Sequence, residues 1–423
     1  MKILFLSPYY GSRVASSYLG ETRTQAFIDA GFDMVIYAPT PSRGLSKEER
    51  KRYRTIKEEI HFDGRQKVHF FPMFNEGRNP VLRALRYALC AVIHFFKGCC
   101  AADARTCDVM FIQSTPPIQG AMAACVKKIR HIPMVYCLQD IFPDSLVGTG
   151  LARKGGILWK AGRVIENFTY RNADNIIVIS EDFKKNILAK GVPEEKIKVI
   201  YNWVDEEAVV DVPRAENKLF DKYGLDRNKF IISYSGNIGL TQNMDMLLEV
   251  MEELKTEAPD ILLVLIGEGA YKEQVVKKIA GQAGNDGIIL GTALPNVIML
   301  PFQPYEDISH VFSLGDAGLV ISKPGVGSNS VPSKTWSIMS ASRPVLANFD
   351  ENELKEIIAD HRCGLFTKAG DKEAFKASIL ALYHQPALCW EYGVNGRRFI
   401  MENLTKGVGT GKYVEVLRSF DKK

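Results

Sequence analysis

The sequence lacks an apolar run long enough to cross a bilayer. Its longest uncharged apolar stretch is Tyr87–Phe96, about half of the roughly 20 residues that a membrane-spanning helix needs. The first residues, MKILFLSPYYG, carry one basic residue before a short apolar run. This pattern indicates a first β-strand and not a signal peptide. We therefore expect a cytoplasmic protein that touches a membrane at most from its surface.

The eight cysteines, at positions 90, 99, 100, 107, 125, 137, 363 and 389, form no C-x-x-C motif. They are predicted to be small buried side chains in a reducing compartment. Their spacing does not fit a zinc site. Low-complexity tracts and short internal repeats are also absent.

The composition is that of a globular protein, with 423 residues of which 24% are charged and 46% hydrophobic. This length favours two or three domains. The two halves differ in charge: residues 1–200 contain 30 Lys and Arg against 19 Asp and Glu, whereas residues 201–423 contain 24 against 30. A basic first half suggests an anionic partner such as a membrane or nucleic acid. Two solvated domains of different pI would give the same numbers.

Short apolar strands alternate with amphipathic helices in both halves. Runs such as ILLVLIG and AGLVIS are bounded by Gly or polar residues, which predicts strands buried on both faces in parallel sheets. The predicted fold class is α/β, with two doubly wound domains whose ligands lie in the cleft between them. We place the domains at residues 1–205 and 206–395, and expect the terminal helix, residues 396–423, to pack back on the first domain.

Residues 317–345 carry the strongest ligand-binding motif. A strand ending at Ser322 is followed by a glycine-rich loop and by Pro332, where a helix is expected to begin. Glycines permit close backbone approach, and a helix N-terminus attracts anions. The motif therefore predicts a diphosphate site, with a purely structural loop as the alternative; its residues are Lys323, Gly325, Gly327, Ser328, Asn329, Ser330, Ser333 and Lys334.

Two shorter glycine turns also follow strands. SYSGNIGLTQN contains Gly236, Asn237 and Gly239, and LIGEGAYKE contains Gly267, Glu268 and Gly269. Neither matches the G-x-G-x-x-G dinucleotide fingerprint. Each turn alone is more typical of a plain β–α connection, but three such loops at one sheet edge favour a ligand site.

With these motifs, the sequence resembles the retaining family 4 glycosyltransferases of GT-B fold. PYYGSRVASSYLGETR is similar to that family's loop beside the donor sugar, Asn202–Asp205 to its interdomain turn, and PSKTWSIMSASRPVLA to its donor-domain signature. PSK and SGNIG are typical of the bacterial subgroup that contains N-acetyl-L-fucosamine transferases. The resemblance implies an acceptor-binding first domain and a second domain that binds a nucleotide sugar.

The sequence departs from the family pattern at the charged positions. Asn329 and Ser337 stand where the family has a pair of glutamates, and Asn237 and Gln242 stand where it has an Arg/Lys pair for the diphosphate. We expect Lys323 and Lys334 to replace that pair. The resemblance also assigns Gly11 and Arg23 to the donor side, with Glu21 as a further candidate.

MVYCLQDIFPDSL places Gln139 and Asp140 at the end of a strand, where the family often has His-Asp. Asp140 is predicted to position the acceptor hydroxyl or accept its proton, and Lys334 is expected to stabilise the departing UDP. The resemblance implies that the donor's own phosphate helps to deprotonate the acceptor. Capping of the following loop is the alternative role for Asp140. No protein nucleophile is assigned. The D-x-D metal motif is absent, so the predicted chemistry needs no metal and no cofactor besides the donor.

PVLRALRYALCAVIHFFKGCC combines cations with an apolar helix face. Such a helix can lie among the headgroups of an anionic leaflet, although packing on the sheet is the usual role of an apolar face. The predicted membrane residues are Arg83, Arg86, Phe95, Phe96, Lys97, Lys127, Lys128 and Arg130.

Together these patterns predict a peripheral enzyme on the inner face of the cell membrane. It would transfer an N-acetylated amino sugar from UDP to an undecaprenyl-diphosphate-linked saccharide in O-antigen or capsule synthesis. A UDP-sugar epimerase of the same fold and a non-catalytic partner subunit are the alternatives. Nucleic-acid binding is disfavoured, because the basic half has no aromatic platform or recognition module.

Overall fold

The computed structural model describes residues 1–11, 17–41, 44–77, 79–148, 152–327 and 331–421. The chain forms two compact units, Met1–Tyr201 with Gly409–Lys423, and Asn202–Val408. Predicted residues Ser328, Asn329 and Ser330 lie outside the described part of the chain.

The first unit contains a mixed sheet of eight strands in the order β3-β4-β2-β1-β5-β6-β7-β8. All neighbouring strands are parallel except β3 and β4, which form an antiparallel hairpin at the edge. Its elements are β1 Lys2–Leu6, α1 Ser17–Asp29, β2 Asp33–Pro39, α2 Lys47–Thr55, β3 Glu58–His61, β4 Gln66–Phe71, α3 Pro80–Cys100, α4 Ala102–Arg105, β5 Val109–Gln113, α5 Ile118–Arg130, β6 Met134–Leu138, α6 Asp144–Gly148, α7 Ile157–Asn172, β7 Asn175–Val178, α8 Glu181–Ala189 and β8 Ile197–Val199.

The second unit repeats this plan with the strand order β11-β12-β13-β10-β9-β14-β15-β16. Its elements are α9 Lys218–Tyr223, β9 Phe230–Ser235, α10 Met244–Glu257, β10 Ile261–Ile266, α11 Lys272–Lys278, β11 Gly281–Ala283, β12 Ile289–Gly291, β13 Val297–Leu300, α12 Ile308–Phe312, β14 Ala317–Ile321, α13 Lys334–Ser340, β15 Val345–Phe349, α14 Glu353–Asp360, β16 Gly364–Lys368, α15 Lys372–His384 and α16 Pro386–Asn403. Helix α17, Lys406–Arg418, passes from the second unit into the first.

The central strands are buried on both faces, as their apolar runs predict. All six residues of β10 and all five of β14 are buried, and helices cover such strands on both sides of a parallel sheet. The α/β, doubly wound fold class is confirmed. Both sheets are parallel as predicted except at one edge of each, where β3 pairs antiparallel with β4, and β12 pairs antiparallel with β11 and β13. Helix α11 ends at Lys278, and Gly281–Ala283 forms strand β11, which pairs with β12.

Each sheet has a point where the chain reverses its direction of winding. In the first sheet it lies between β1 and β5, and in the second between β9 and β14. Connections from the two central strands leave on opposite faces there, so their carboxyl ends open a crevice in which doubly wound proteins bind ligands.

All eight cysteines are free. Cys90, Cys107, Cys137 and Cys363 are buried, as predicted, whereas Cys100 at the end of α3 is exposed.

Candidate active site

Three loops meet at the carboxyl edge of the second sheet. They follow β9, β10 and β14 and contain the glycine turns found in the sequence. The Gly236 N–H donates to the Ile266 carbonyl at 2.9 Å, and the Ile238 N–H donates to the Glu268 carbonyl at 2.9 Å. The first two loops are therefore bonded backbone to backbone beside the switch point of the sheet.

Gly267 is required by this close approach. Its φ is +156°, and a Cβ atom there would lie 1.9 Å from the Gly236 carbonyl oxygen. A Cβ on Gly269 would lie 2.2 Å from the Ile238 carbonyl oxygen. Contact between the two loops is therefore enough to explain both glycines. This agrees with the alternative interpretation of these turns as plain β–α connections.

The polar residues of the first loop hold its turn. The Gly239 N–H donates to Oε1 of Gln242 at 3.0 Å, and the Tyr234 hydroxyl donates to the Asn237 carbonyl at 2.7 Å. The Asn237 and Gln242 side chains both lie close to Gly239. The uncharged residues that replace the family's Arg/Lys pair therefore shape the loop and bring no positive charge.

Lys334 brings positive charge to the edge of that loop. Its Nζ lies 3.5 Å from the centroid of the Tyr234 ring, and a Cβ on Gly236 would lie 3.0 Å from it. Burial of the amine lowers the pKa of Lys334 to about 7. Within the described part of the chain, no carboxylate pairs with this amine.

Two hydroxyls in the same region have no hydrogen-bond partner. Oγ of Ser322, at the end of β14, and Oγ1 of Thr335, at the start of α13, are buried and unpartnered among the described residues. Buried hydroxyl groups without a hydrogen-bond partner are uncommon in folded proteins. Both can donate to a phosphate oxygen. Sequence reasoning missed Thr335 and Tyr234, although Thr335 directly follows the lysine it singled out.

The loop after β14 differs from the predicted diphosphate site in its backbone amides. The N–H groups of Gly325 and Gly327 donate to the two oxygens of Asp350, at 2.9 and 2.7 Å. These amides are already paired and are not available to a diphosphate. A Cβ on Gly327 would also lie 2.4 Å from the Phe349 ring, so packing explains that glycine.

The other predicted donor-binding residues of the second unit are Glu268, Lys323, Ser333 and Ser337. Glu268 is engaged by Lys272 at 2.6 Å. The backbone N–H of Lys323 donates to the Thr241 carbonyl. The side-chain Nζ of Lys323 lies 5.7 Å from the Tyr271 ring centroid. Helix α13 begins at Lys334, two residues later than predicted; Ser333 precedes it without a side-chain cap, and Ser337 lies within it.

In the first unit, Gln139 and Asp140 follow β6. Oγ of Ser145 donates to Asp140 at 3.0 Å, and the Gln139 N–H donates to Oγ of Ser114 at 2.9 Å. Desolvation raises the pKa of Asp140 above its ordinary value. The side-chain bond from Ser145 ties Asp140 to helix α6, and the raised pKa suits a base.

Gly11, Glu21 and Arg23 line a cavity of about 660 Å³ in the first unit. The Arg23 guanidinium is buried and lies 4.8 Å from the Phe111 ring centroid and 5.5 Å from that of Tyr413. Arg23 thus packs between two aromatic rings while its side chain borders the cavity.

The helix predicted to touch a membrane has two apolar faces. One packs on the sheet, with Ala91 in the core and Phe95 against it. The other is exposed along the whole helix. It is here named the α3 stripe, and its members are 40–60% exposed: Leu82, Leu85, Leu89, Val92 and Phe96.

The predicted membrane cations are not all at the surface. Arg86 is buried, pairs with Glu76 and donates to the carbonyls of Phe74 and Thr40. It is therefore structural, and its assignment to the membrane surface is wrong. Other cations have protein partners: Lys127 pairs with Asp174, Arg130 donates to Gly98, and Lys128 lies over the Phe168 ring. Lys97 is exposed and Arg83 is partly buried.

The described residues offer neither a metal-binding cluster nor a membrane-spanning helix. They contain no group of three or more His, Cys, Asp or Glu side chains placed to hold a metal ion. None of the helices they form is both long and apolar enough to cross a membrane.

Two doubly wound α/β units in one chain are the architecture of the GT-B fold. Residues 22–208 match the family Glycosyltransferase Family 4, and residues 215–399 match Glycosyl transferases group 1. The first half of the chain therefore matches a family 4 model and the second half a group 1 model, both of glycosyltransferases, and the predicted GT-B fold class is confirmed.

Named relatives agree with this class. The putative colanic acid biosynthesis glycosyl transferase WcaI of Escherichia coli K12 is 30% identical over 216 residues, which cover 50% of each chain. The probable glycosyltransferase WbjE of Pseudomonas aeruginosa is 25% identical over 300 residues, 71% of each chain. The alignment thus spans only half of the length of the first relative.

Solved structures share the fold over the full length. Anabaena HepE in complex with UDP superposes with a TM-score of 0.71 at 18% identity, covering 99% of this chain and 100% of HepE. WaaG, a glycosyltransferase of lipopolysaccharide biosynthesis, superposes with a TM-score of 0.67 at 12% identity, covering 98% of this chain and 99% of WaaG.

Proposed function

We propose that the chain transfers an N-acetylated amino sugar from UDP to an undecaprenyl-diphosphate-linked saccharide, with retention of anomeric configuration. N-acetyl-L-fucosamine is the first donor sugar to test. The observation that carries the proposal is the Lys334 amine at the switch point of the second sheet, where no described carboxylate pairs with it. A buried cation without a counter-ion is costly. A diphosphate bound there removes that cost.

UDP as the nucleotide is supported by a structural neighbour that was crystallised with UDP and with UDP-glucose. A role in bacterial polysaccharide synthesis is supported by the relative named for colanic acid biosynthesis. The segments PSK and SGNIG are typical of the subgroup that contains N-acetyl-L-fucosamine transferases. They therefore favour an N-acetylated amino sugar over a simple hexose.

The chemistry divides between the two units. In this proposal the amine of Lys334 stabilises negative charge on the departing UDP, and the unpartnered Ser322 and Thr335 hydroxyls are the further donors to test. Asp140 is placed at a strand end in the first unit to accept the proton of the acceptor hydroxyl. In this scheme the reaction proceeds without a metal ion.

We also propose that the enzyme binds the inner face of the cell membrane through the α3 stripe. Exposed apolar residues spaced by three and four positions form a continuous face along α3. Lys97 lies on the same helix, and a cation beside an apolar face favours an anionic leaflet. The acceptor's lipid would bring enzyme and substrate to that surface.

Ligand binding tests the proposal first. Thermal unfolding is measured with UDP, GDP, CMP and NAD, each with and without a magnesium chelator. We expect UDP at 100 times its dissociation constant to stabilise the protein by about 2.7 kcal/mol, with no effect of the chelator. Stabilisation by a different nucleotide alone would refute the UDP donor. UDP-sugar consumption without an acceptor would instead identify an epimerase.

Asp140→Asn is expected to lower the turnover number by about 10²–10⁴-fold, the usual contribution of a general base, while UDP affinity stays unchanged. Its control is Ser145→Ala, which removes a hydrogen bond to the same carboxylate but leaves the base. Turnover is measured with labelled donor and a lipid-linked acceptor. Equal losses of turnover in the two variants would assign Asp140 to loop capping alone.

A further inference from the structure

A second cavity of the first unit lies where β2 and β4 end, and none of the assigned site residues lines it. Its volume is about 500 Å³. The lining comes from four segments: Thr40 and Pro41 after β2, Pro72–Asn75 after β4, Arg50 and Arg54 of α2, and Leu89 of α3. We name it the α2–α3 cavity. It lies at the carboxyl edge of the sheet, where doubly wound proteins bind ligands.

The α2–α3 cavity is cationic. Arg50 and Arg54 are one helical turn apart on α2, and no carboxylate is among the described lining residues. Nε and Nη2 of Arg50 donate to the Leu45 carbonyl at 3.2 and 3.0 Å, which fixes the direction of that side chain. Neither arginine forms an ion pair with any residue that the structure describes. Guanidinium groups bind phosphate oxygens in pairs of hydrogen bonds.

The same cavity is continuous with apolar surface. Leu89 lines it and is also the middle member of the α3 stripe, which runs from Leu82 to Phe96. At 1.5 Å per residue, the stripe is roughly 20 Å long. Phe74 and Met73 extend the apolar surface inside the cavity. An occupant must therefore carry an anionic group next to a long apolar chain.

Buried bonds hold this arrangement in place. Arg86 of α3 donates to the Thr40 and Phe74 carbonyls, each of which belongs to a lining residue, and it pairs with Glu76. The helix and both loops are thereby joined before any ligand binds, so little conformational entropy is lost on binding.

The 660 Å³ cavity adjoins α2, and it is here named the polar cavity for the hydrogen-bonding groups in its lining. Tyr53 of α2 lines the 660 Å³ cavity, and Gly11, which also lines it, lies against Pro41 of the α2–α3 cavity. Its remaining lining includes hydrogen-bonding groups suited to sugar hydroxyls, among them Tyr10, Glu21, Glu59, Gln66 and Gln113. Apolar stripe, arginine pair and polar cavity thus follow one another in the order lipid, diphosphate, saccharide.

We infer that the α2–α3 cavity binds the diphosphate of a polyprenyl-diphosphate-linked acceptor, with the first isoprene units on the α3 stripe and the saccharide directed to the polar cavity. This inference rests on the proposed lipid-linked acceptor. A phospholipid headgroup carries a similar anionic charge but lacks the saccharide that the third region accommodates.

Geranylgeranyl diphosphate serves as the probe, and its binding is measured by titration calorimetry on the full chain. Inorganic diphosphate and geranylgeraniol are the head-only and tail-only controls. The test variant is Arg50→Ala with Arg54→Ala. The matched control is Lys47→Ala with Lys51→Ala, since these exposed lysines have the same spacing on α2 but do not line the cavity. UDP-induced thermal stabilisation is recorded for every variant.

We expect the arginine variant to lose affinity for the probe by about tenfold per arginine, and the lysine variant to change by less than about threefold, because the lysines do not line the cavity. Unchanged binding in the arginine variant, or an equal loss in the lysine variant, would overturn the inference. An equal loss of affinity for phosphatidylglycerol vesicles in the arginine variant would also overturn it, because the arginines would then serve general membrane binding. If the arginine variant fails to fold, Leu89→Asn replaces it. This variant should bind geranylgeranyl diphosphate more weakly and inorganic diphosphate with unchanged affinity. Absence of UDP stabilisation in the unmodified protein would refute the proposed donor and leave the probe measurement intact.

Discussion

Lys334→Met is expected to lower the affinity for UDP by about 100-fold, which corresponds to the ~3 kcal/mol of a hydrogen bond to a charged group. The midpoint of thermal unfolding should stay unchanged or rise. Methionine fills similar space beside Tyr234 and removes an amine that the free protein keeps without a described carboxylate. Binding is measured by calorimetry at pH 7 and unfolding by differential scanning fluorimetry.

The same residue predicts how UDP binding depends on pH. The pKa of Lys334 is lowered by burial to about 7 in the free protein, and a bound diphosphate raises it again. Below pH 7 the amine is charged before and after binding, so affinity is constant. Above pH 7 the free protein must take up a proton to bind, and affinity should fall by up to about tenfold per pH unit. The Met variant, titrated with the same ligand, should lack this slope.

Lys272→Met is the matched control, because Lys272 is paired with Glu268 in the same unit. It should change UDP affinity by less than about threefold, as expected for an exposed ion pair. If the Lys334 variant bound UDP as tightly as the unmodified chain, the diphosphate would have to lie elsewhere.

Replacing Leu85, Val92 and Phe96 together by serine should reduce binding to vesicles of anionic phospholipid by about 100-fold. Each side chain buries apolar surface worth ~1 kcal/mol or more when it enters the lipid, since full burial contributes about 1.5–3 kcal/mol. The three residues are 52–60% exposed. Their loss should therefore leave the unfolding midpoint within a few degrees of its original value. Vesicle flotation at low and high salt measures the binding.

The control removes an equal number of exposed apolar residues from the second unit. Leu290, Phe302 and Trp390 are 44, 73 and 73% exposed, and their replacement by serine should leave vesicle binding unchanged. Equal losses in the two triple variants would mean that general hydrophobicity, and not the α3 stripe, drives the association.

Much of the fold could be predicted because it depends on local patterns. Continuous apolar runs such as ILLVLI can be buried only between two layers of helices, which predicts parallel sheets. The errors lie at sheet edges. Strand β11 has the sequence GQA, whose residues carry no strand pattern, and only its pairing with β12 makes it a strand.

In the candidate site too, features set by neighbouring residues could be predicted, and features set by distant residues could not. The sequence singled out Lys334 through its place after a glycine-rich loop, and the resemblance gave it a role. It also suggested free amides at Gly325 and Gly327, which Asp350 in fact occupies from 23 or more residues away. Hydrogen bonds over that separation leave no trace in the spacing of residues along the chain.

The sequence by itself determined the two doubly wound units, the glycosyltransferase class and the amphipathic character of α3, because periodicity and short motifs are properties of neighbouring residues. Only the tertiary structure decided which charges are available. Arg86 and Lys97 stand on the same helix, yet one is buried against Glu76 and the other is exposed. The lowered pKa of Lys334 likewise depends on its burial. Solvation and pairing are set by groups that folding brings together from distant parts of the chain.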